Sequence, residues 1–279
     1  MDSVEINGRY LVGPGQPLLL IAGPCVLESE DVVRKTVQGL KEITSRLDMP
    51  FVFKASFDKA NRTSLASFRG PGIKEGLEIL GRIRQEFQVP VISDIHEPGQ
   101  AAQAAEVLDI IQIPAFLCRQ TDLLTAAAAT GKPLSIKKGQ FLSPWDMEHA
   151  VMKVRESGNS KILLTERGAM FGYNNLVVDM RSLPVMRSLG CPVIYDATHS
   201  VQLPGGAGGS SSGQREFIPP LTRAAVAAGI DGLFMEVHPD PDKALCDGPN
   251  SMPLDQVESL LLMLQKIHQV VHSSADASR

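Results

Sequence analysis

Eight reactive or charged residues, Cys25, Lys54, Asp94, Gln112, Lys138, Arg167, His199 and Glu236, each follow a short apolar run. Burying an unpaired charge is costly, so a plain core has no use for such residues at every one of these points. The mouth of an active site does. Between Lys54 and Thr63 the chain reads Lys54-Ala-Ser56-Phe-Asp-Lys59-Ala-Asn61-Arg62-Thr63, and Arg119, Lys138 and Arg167 add cations further on. In a chain of net charge -4, such local focusing attracts small anions. Arginine forks and lysine point charges suit phosphate and carboxylate by different geometries, which implies a substrate set with more than one anionic group. Lys137, on the opposite strand face from Lys138, reads as a solvated surface lysine.

Cys25, His199 and Glu236 end the first, seventh and eighth apolar runs, and Asp247 follows in the next loop. Together they would make a mixed S, N and O donor set suited to Zn²⁺, Fe²⁺ or Mn²⁺. His238 competes with His199 for the nitrogen position. Asp94 and His96 share a face at the same rim, in a supporting part.

The elements that must position these residues follow the alternation of a (β/α)8 barrel. Strands are predicted at Leu18–Ala22, Phe51–Lys54, Val91–Asp94, Ile110–Ile113, Leu134–Lys137, Ile162–Thr165, Val193–Tyr195 and Leu233–Glu236. Helices of period 3.6 intervene at Asp31–Leu47, Lys74–Phe87, Gln100–Leu108, Asp122–Thr130, Asp146–Glu156, Ser182–Ser188, Phe217–Ala228 and Leu254–Val271. In a closed barrel the first, seventh and eighth strands are consecutive, so their terminal side chains can meet. A doubly wound sheet would place a ligand at one switch point and leaves the other strand ends unexplained. A hairpin turning at Asn7-Gly8 is expected over Val4–Val12, within an amino-terminal segment of residues 1–16. The segment Pro204–Gly213 is Gly/Ser-rich and lies just past the seventh strand, so residues 202–216 are expected to form a lid.

The length of 279 residues and 43% hydrophobic composition suit a single barrel domain. Net acidity with 5% aromatics argues against nucleic acid as a partner. The acidic amino terminus lacks an export signal, and no apolar stretch reaches the roughly 20 residues a bilayer needs, so a cytoplasmic protein without a membrane partner is expected. The four cysteines show no C-x-x-C pair, which argues against a disulfide framework. Cys118 and Cys191 read as small buried hydrophobes.

Five blocks carry a family resemblance: Ile21-Ala-Gly-Pro-Cys25-Val-Leu-Glu-Ser29, Phe53-Lys-Ala-Ser-Phe-Asp-Lys-Ala-Asn-Arg62, Ile113-Pro-Ala-Phe-Leu-Cys-Arg-Gln-Thr-Asp122, Lys137-Lys-Gly-Gln-Phe-Leu-Ser-Pro144 and Asp196-Ala-Thr-His-Ser-Val-Gln202. From about Leu18 to about Leu262 the chain closely resembles the 3-deoxy-D-manno-octulosonate 8-phosphate synthases. That family condenses phosphoenolpyruvate with arabinose 5-phosphate for Gram-negative lipopolysaccharide. The resemblance implies that Lys54, Ser56, Lys59, Gln112, Ala115, Lys138 and Arg167 hold phosphoenolpyruvate, with Lys138 and Arg167 on its phosphate. It implies that Asn61, Arg62 and Thr63 hold the pentose phosphate, and that Arg119 reaches a neighbouring subunit's sugar phosphate in an oligomer, usually a tetramer. Asp94 joins the substrate-contacting set; Lys59, Lys138, His199 and Asp247 form the catalytic set, with the general base left open among Asp247, His199 and a metal-bound water.

The family has metal-dependent and metal-independent members, and cysteine at position 25 resembles the first class. Cys246-Asp-Gly-Pro249 is closer to the metal-independent pattern. Rival readings are a sister synthase using erythrose 4-phosphate, a sialic-acid-type synthase, and a Schiff-base aldolase acting through Lys54 or Lys138. A non-enzymatic binding module would have to explain these strand ends without turnover.

Overall fold

The computed structural model describes residues 2–205 and 212–276. Eight strands, β1 (Leu19–Gly23), β2 (Phe51–Lys54), β3 (Val91–Asp94), β4 (Ile110–Ile113), β5 (Leu134–Lys137), β6 (Ile162–Glu166), β7 (Val193–Asp196) and β8 (Gly232–His238), pair in parallel in chain order. β8 then pairs with both β1 and β7, so the sheet closes. The helices α1 (Glu30–Arg46), α2 (Ile73–Phe87), α3 (Ala101–Val107), α4 (Thr121–Ala129), α5 (Met147–Glu156), α6 (Ser182–Ser188), α7 (Ile218–Ala227) and α8 (Leu254–Asp276) each follow one strand. This is the expected (β/α)8 barrel. α1 starts where the Ser29 side chain accepts from the Val32 backbone N–H, with Glu30 and Asp31 in the first turn suiting the positive end of the helix dipole.

Strand residues alternate between two packing layers. Leu20, Phe53, Ile111, Ile136, Leu164, Tyr195 and Met235 face outward against the helices. Leu19, Ile21, Val52, Ile92, Ile110, Leu163, Ile194 and Phe234 fill the barrel interior. The predicted hairpin forms from Val4–Ile6 and Tyr10–Val12, with Asn7 and Gly8 at positive φ in its turn. Its Val4, Ile6 and Val12 join the interior cluster and close the amino-terminal end of the barrel. The strands are apolar on both faces because each face is covered, as parallel sheets require.

Three short pairings escape sequence reading. Ala169–Met170 pairs with Leu176–Val177, Gln202–Leu203 with Ser212–Gly213, and Met252–Pro253 with the end of β8. The expected lid over residues 202–216 is thus hairpin-paired at its base, while its tip at 206–211 lies outside the described residues. No helix among the described residues is long and apolar enough to cross a membrane.

Candidate active site

At the carboxyl end of the barrel the inward positions turn polar: Lys54 on β2, Asp94 on β3, Gln112 on β4, Lys137 on β5, Asp196 on β7 and Glu236 on β8, all nearly inaccessible. Lys54, Asp94, Gln112 and Lys137 line a cavity of about 580 Å³ together with Arg167 and His199. Lys137 Nζ lies 3.5 Å from the centroid of the Phe234 ring and Lys54 Nζ lies 5.5 Å from it. The floor is therefore aromatic and cationic at once.

The two buried lysines of the barrel interior each have an acidic partner. Lys54 donates to Glu236 Oε1 at 3.0 Å and to the Cys25 carbonyl at 2.7 Å. Gly23 permits this close junction of β1 and β2, since a Cβ there would sit 2.0 Å from the Lys54 carbonyl oxygen. Lys137 donates to Asp196 Oδ2 at 2.5 Å. Burial brings the Lys137 ammonium below its ordinary value; Asp196 opposes that, while Lys54 and Arg167 add to it. An arriving phosphate would relieve this crowding of like charges. Arg167 donates to the Gln202 side chain at 2.9 Å and faces the cavity. Ser56 is buried below the wall and donates to Asp94 Oδ1, while His96 Nε2 lies 2.9 Å from Asp94 Oδ2. Burial alone would raise the Asp94 carboxyl, but His96, Lys59 and Lys54 hold it well below the usual carboxylate range.

The reading of β5 is reversed by the structure. Ser135 meets Thr165 inside the barrel, so two residues on, Lys137 must also point inward. Lys138 instead points away from the cavity: its Nζ lies 3.3 Å from the carbonyls of Gly139, Leu142 and Gly168 and 3.5 Å from Glu166. Lys137 is thus no surface lysine, and Lys138 stands off the cavity wall. The loop after β2 brings Lys59, Asn61, Arg62 and Thr63 to the opposite wall, and Ala115 to the edge after β4. Arg119 is exposed and takes no part in the cavity of its own chain.

The donor set lies beside the cations. His199 Nε2 is 3.4 Å from Glu236 Oε1 and 3.7 Å from Asp247 Oδ2, and Cys25 Sγ is 3.4 Å from Asp247 Oδ2. His199 Nδ1 lies 2.8 Å from Asp196 Oδ2, which orients the ring with Nε2 toward the other donors. Asp196 also accepts from the His199 backbone N–H at 2.9 Å, and it is held well below the usual range by His199 and Lys137 in spite of its burial. Asp247 adopts φ 49°, a left-handed conformation that a non-glycine residue keeps where its surroundings impose it. His238 turns instead to Glu28, at 3.5 Å, and leaves the nitrogen position to His199.

These residues fit a divalent ion. His199, Glu236 and Asp247 bring donor atoms within 4.8 Å of one another, as do Cys25, Cys246 and Asp247. Glu236 Oε2 is buried without a hydrogen-bond partner among the described residues. Burial, Cys246 and Glu236 push the Cys25 thiol well above its ordinary value, so a cation is what would favour its thiolate.

Asp196, Lys137 and Cys246 are the residues that sequence reasoning left without a role. The signal for Asp196 was its i, i+3 spacing to His199; for Lys137 it was the parity with Ser135.

Fold and site define a (β/α)8-barrel protein with a cation-lined mouth at the carboxyl ends of its strands. The chain belongs to the DAHP synthetase I family, whose model matches residues 3–273. It is 72% identical over 266 residues to the 2-dehydro-3-deoxyphosphooctonate aldolase of Desulfotalea psychrophila, covering 95% of each chain. It is 62% identical over 264 residues to the protein of that name from Geobacter metallireducens, covering 95% of this chain and 97% of the relative. With the one from Desulfosudis oleivorans it shares 62% over 275 residues, 98% of each.

Proposed function

We propose that this protein condenses phosphoenolpyruvate with D-arabinose 5-phosphate and water to give 3-deoxy-D-manno-octulosonate 8-phosphate and inorganic phosphate. The observation that carries the reading is one cavity with cations at both ends: Lys54, Lys137 and Arg167 on the strand side, Lys59, Arg62 and the hydroxyl of Thr63 on the loop side. Two phosphates and a carboxylate match that arrangement. The names of the relatives at 62–72% identity support the same substrate pair.

Carbon 3 of phosphoenolpyruvate bonds to the aldehyde carbon while water adds at carbon 2. The C–O bond at carbon 2 then breaks and phosphate leaves with its four oxygens. Lys137 and Arg167 hold the departing phosphate, and Lys54 the carboxylate end, as preset electrostatics. Asn61 and Arg62 orient the sugar phosphate so that the aldehyde faces carbon 3. A divalent ion held by Cys25, His199, Glu236 and Asp247 would supply Lewis-acid polarisation of an oxygen or orientation of the water. Asp196 fixes His199 in that set, and Asp94 with His96 braces Ser56 and the wall next to Lys54.

A Schiff-base route needs an amine free to attack a carbonyl in the cavity, and the geometry of both candidates disfavours it: Lys54 Nζ is engaged by Glu236 and the Cys25 carbonyl, and Lys138 Nζ is enclosed by carbonyls off the cavity. The same reading includes a homo-oligomer, a tetramer, in the cytoplasm. Phe116, Phe141, Trp145, Phe171 and Tyr173 are exposed on the loops after β4, β5 and β6, an apolar surface that supports association.

The reaction is tested by mass spectrometry of products formed in ¹⁸O-labelled water. The label is expected at carbon 2 of an eight-carbon sugar acid phosphate, with unlabelled inorganic phosphate. Label in the phosphate, or no eight-carbon product, would reject the scheme.

A further inference from the structure

Cys246 is not among the four residues assigned above to hold the ion, Cys25, His199, Glu236 and Asp247, although it stands close to two of them. Its Sγ lies 2.8 Å from Cys25 Sγ, and both side chains are buried. Asp247 belongs to both triads of close donors, so Cys25, Cys246, Asp247, His199 and Glu236 form one continuous cluster. Glu236 adds a second buried oxygen that has no partner among the described residues. We propose that Cys246 is a second thiolate ligand of this site, so that the protein offers a divalent ion two sulfurs; the proposal rests on the metal-binding reading given above.

Three observations favour a shared ion over mere packing. Cys25 Sγ, Cys246 Sγ and an Asp247 carboxylate oxygen all lie within 4.8 Å of one another, close enough for one ion to touch all three. The Arg62 guanidinium donates to Cys246 Sγ at 2.9 Å and both residues line the cavity, so this sulfur is reached from the mouth of the barrel. Cys118 and Cys191 are also buried and free, yet among the described residues no hydrogen bond joins either of them to a second thiol or a carboxylate. Sulfur ligands select soft or borderline ions, so a two-sulfur site binds Zn²⁺ or Cd²⁺ in preference to Mn²⁺.

X-ray absorption at the zinc edge of the full-length, zinc-loaded protein, kept under reductant, tests the proposal without any mutation. Two sulfur scatterers near about 2.3 Å are expected. A single sulfur would overturn the second ligand and leave the metal reading standing. Failure to retain zinc would overturn both. With Co²⁺ in the site, Cys25→Ser and Cys246→Ser are each expected to remove about half of the thiolate-to-cobalt charge-transfer absorption. An unchanged spectrum in Cys246→Ser contradicts the proposal. The ratio of Cd²⁺ to Mn²⁺ affinity is expected to fall about tenfold in Cys246→Ser, the scale on which lost metal-site partners usually act.

Discussion

On the β2–β5 side of the mouth the polar groups stand on the strands themselves: Lys54, Asp94, Gln112 and Lys137 each occupy the last inward position before or near the strand end. On the β7–β8 side only Asp196 and Glu236 do so, while His199 and Asp247 sit in turns beyond the strands and Cys25 in the turn after β1. The first sector is a rigid cradle of cations locked by single carboxylates. The second is a cluster of donors, one of them with an unpartnered oxygen and one held in a left-handed backbone. Strand-borne groups bind charge in fixed places; turn-borne groups can converge on one point. The two sectors touch through the Lys54–Glu236 and Lys137–Asp196 pairs, so the anion site and the donor site share two buried ion pairs.

Chelation is the harshest test of this division. Exhaustive removal of divalent ions is expected to abolish turnover, with recovery on adding Zn²⁺ or Mn²⁺, while phosphoenolpyruvate still binds the cradle by calorimetry. Full activity in verified metal-free protein would remove the donor sector from the reaction.

Within the cradle, Lys137→Met and Lys138→Met separate neighbours with opposite orientations. Lys137→Met is expected to lower kcat by about 10²–10³-fold, as loss of a transition-state charge partner does. Lys138→Met is expected to affect stability more than kcat. Equal kinetic losses would break the parity argument.

At the junction, Lys54→Met leaves the Glu236 carboxylate unpaired in a buried site and is expected to cost about 3–5 kcal/mol in urea denaturation. A loss below about 1 kcal/mol, the level of an exposed pair, would mean that the contact is not held in solution.

The smallest effect belongs to Asp94. Its carboxyl is held below the roughly 3.9 of an unfolded aspartate, so the stability it contributes is complete above about pH 4. That contribution is lost as pH falls through its lower folded value. Asp94→Asn is therefore expected to cost about 1.5–3 kcal/mol at neutral pH, with the gap to wild type closing only below about pH 4. A gap that closes between pH 7 and 5 would contradict the ion pairing.

The eight strands and eight helices were readable because each strand is a short apolar run and each helix has one apolar face. Strand ends shifted by a residue or two, and the two-residue pairings such as Ala169–Met170 with Leu176–Val177 are too short to show a period. The cradle was readable as charge but not as direction. In Leu134-Ser135-Ile136-Lys137-Lys138 the charge of both lysines is plain, whereas Ser135, inward because it meets Thr165, decides which of them enters the cavity. The donor sector was legible where the family pattern names residues. Cys246 was visible only as a departure from that pattern, because its separation of 221 positions from Cys25 hides their contact.

Phosphate release from phosphoenolpyruvate, measured with arabinose 5-phosphate, erythrose 4-phosphate and N-acetylmannosamine side by side, tests the central claim most directly. Release with arabinose 5-phosphate at a kcat/KM well above the other two is the predicted result. Preference for erythrose 4-phosphate or for the unphosphorylated sugar would contradict the assignment of Asn61, Arg62 and Thr63 to a pentose phosphate.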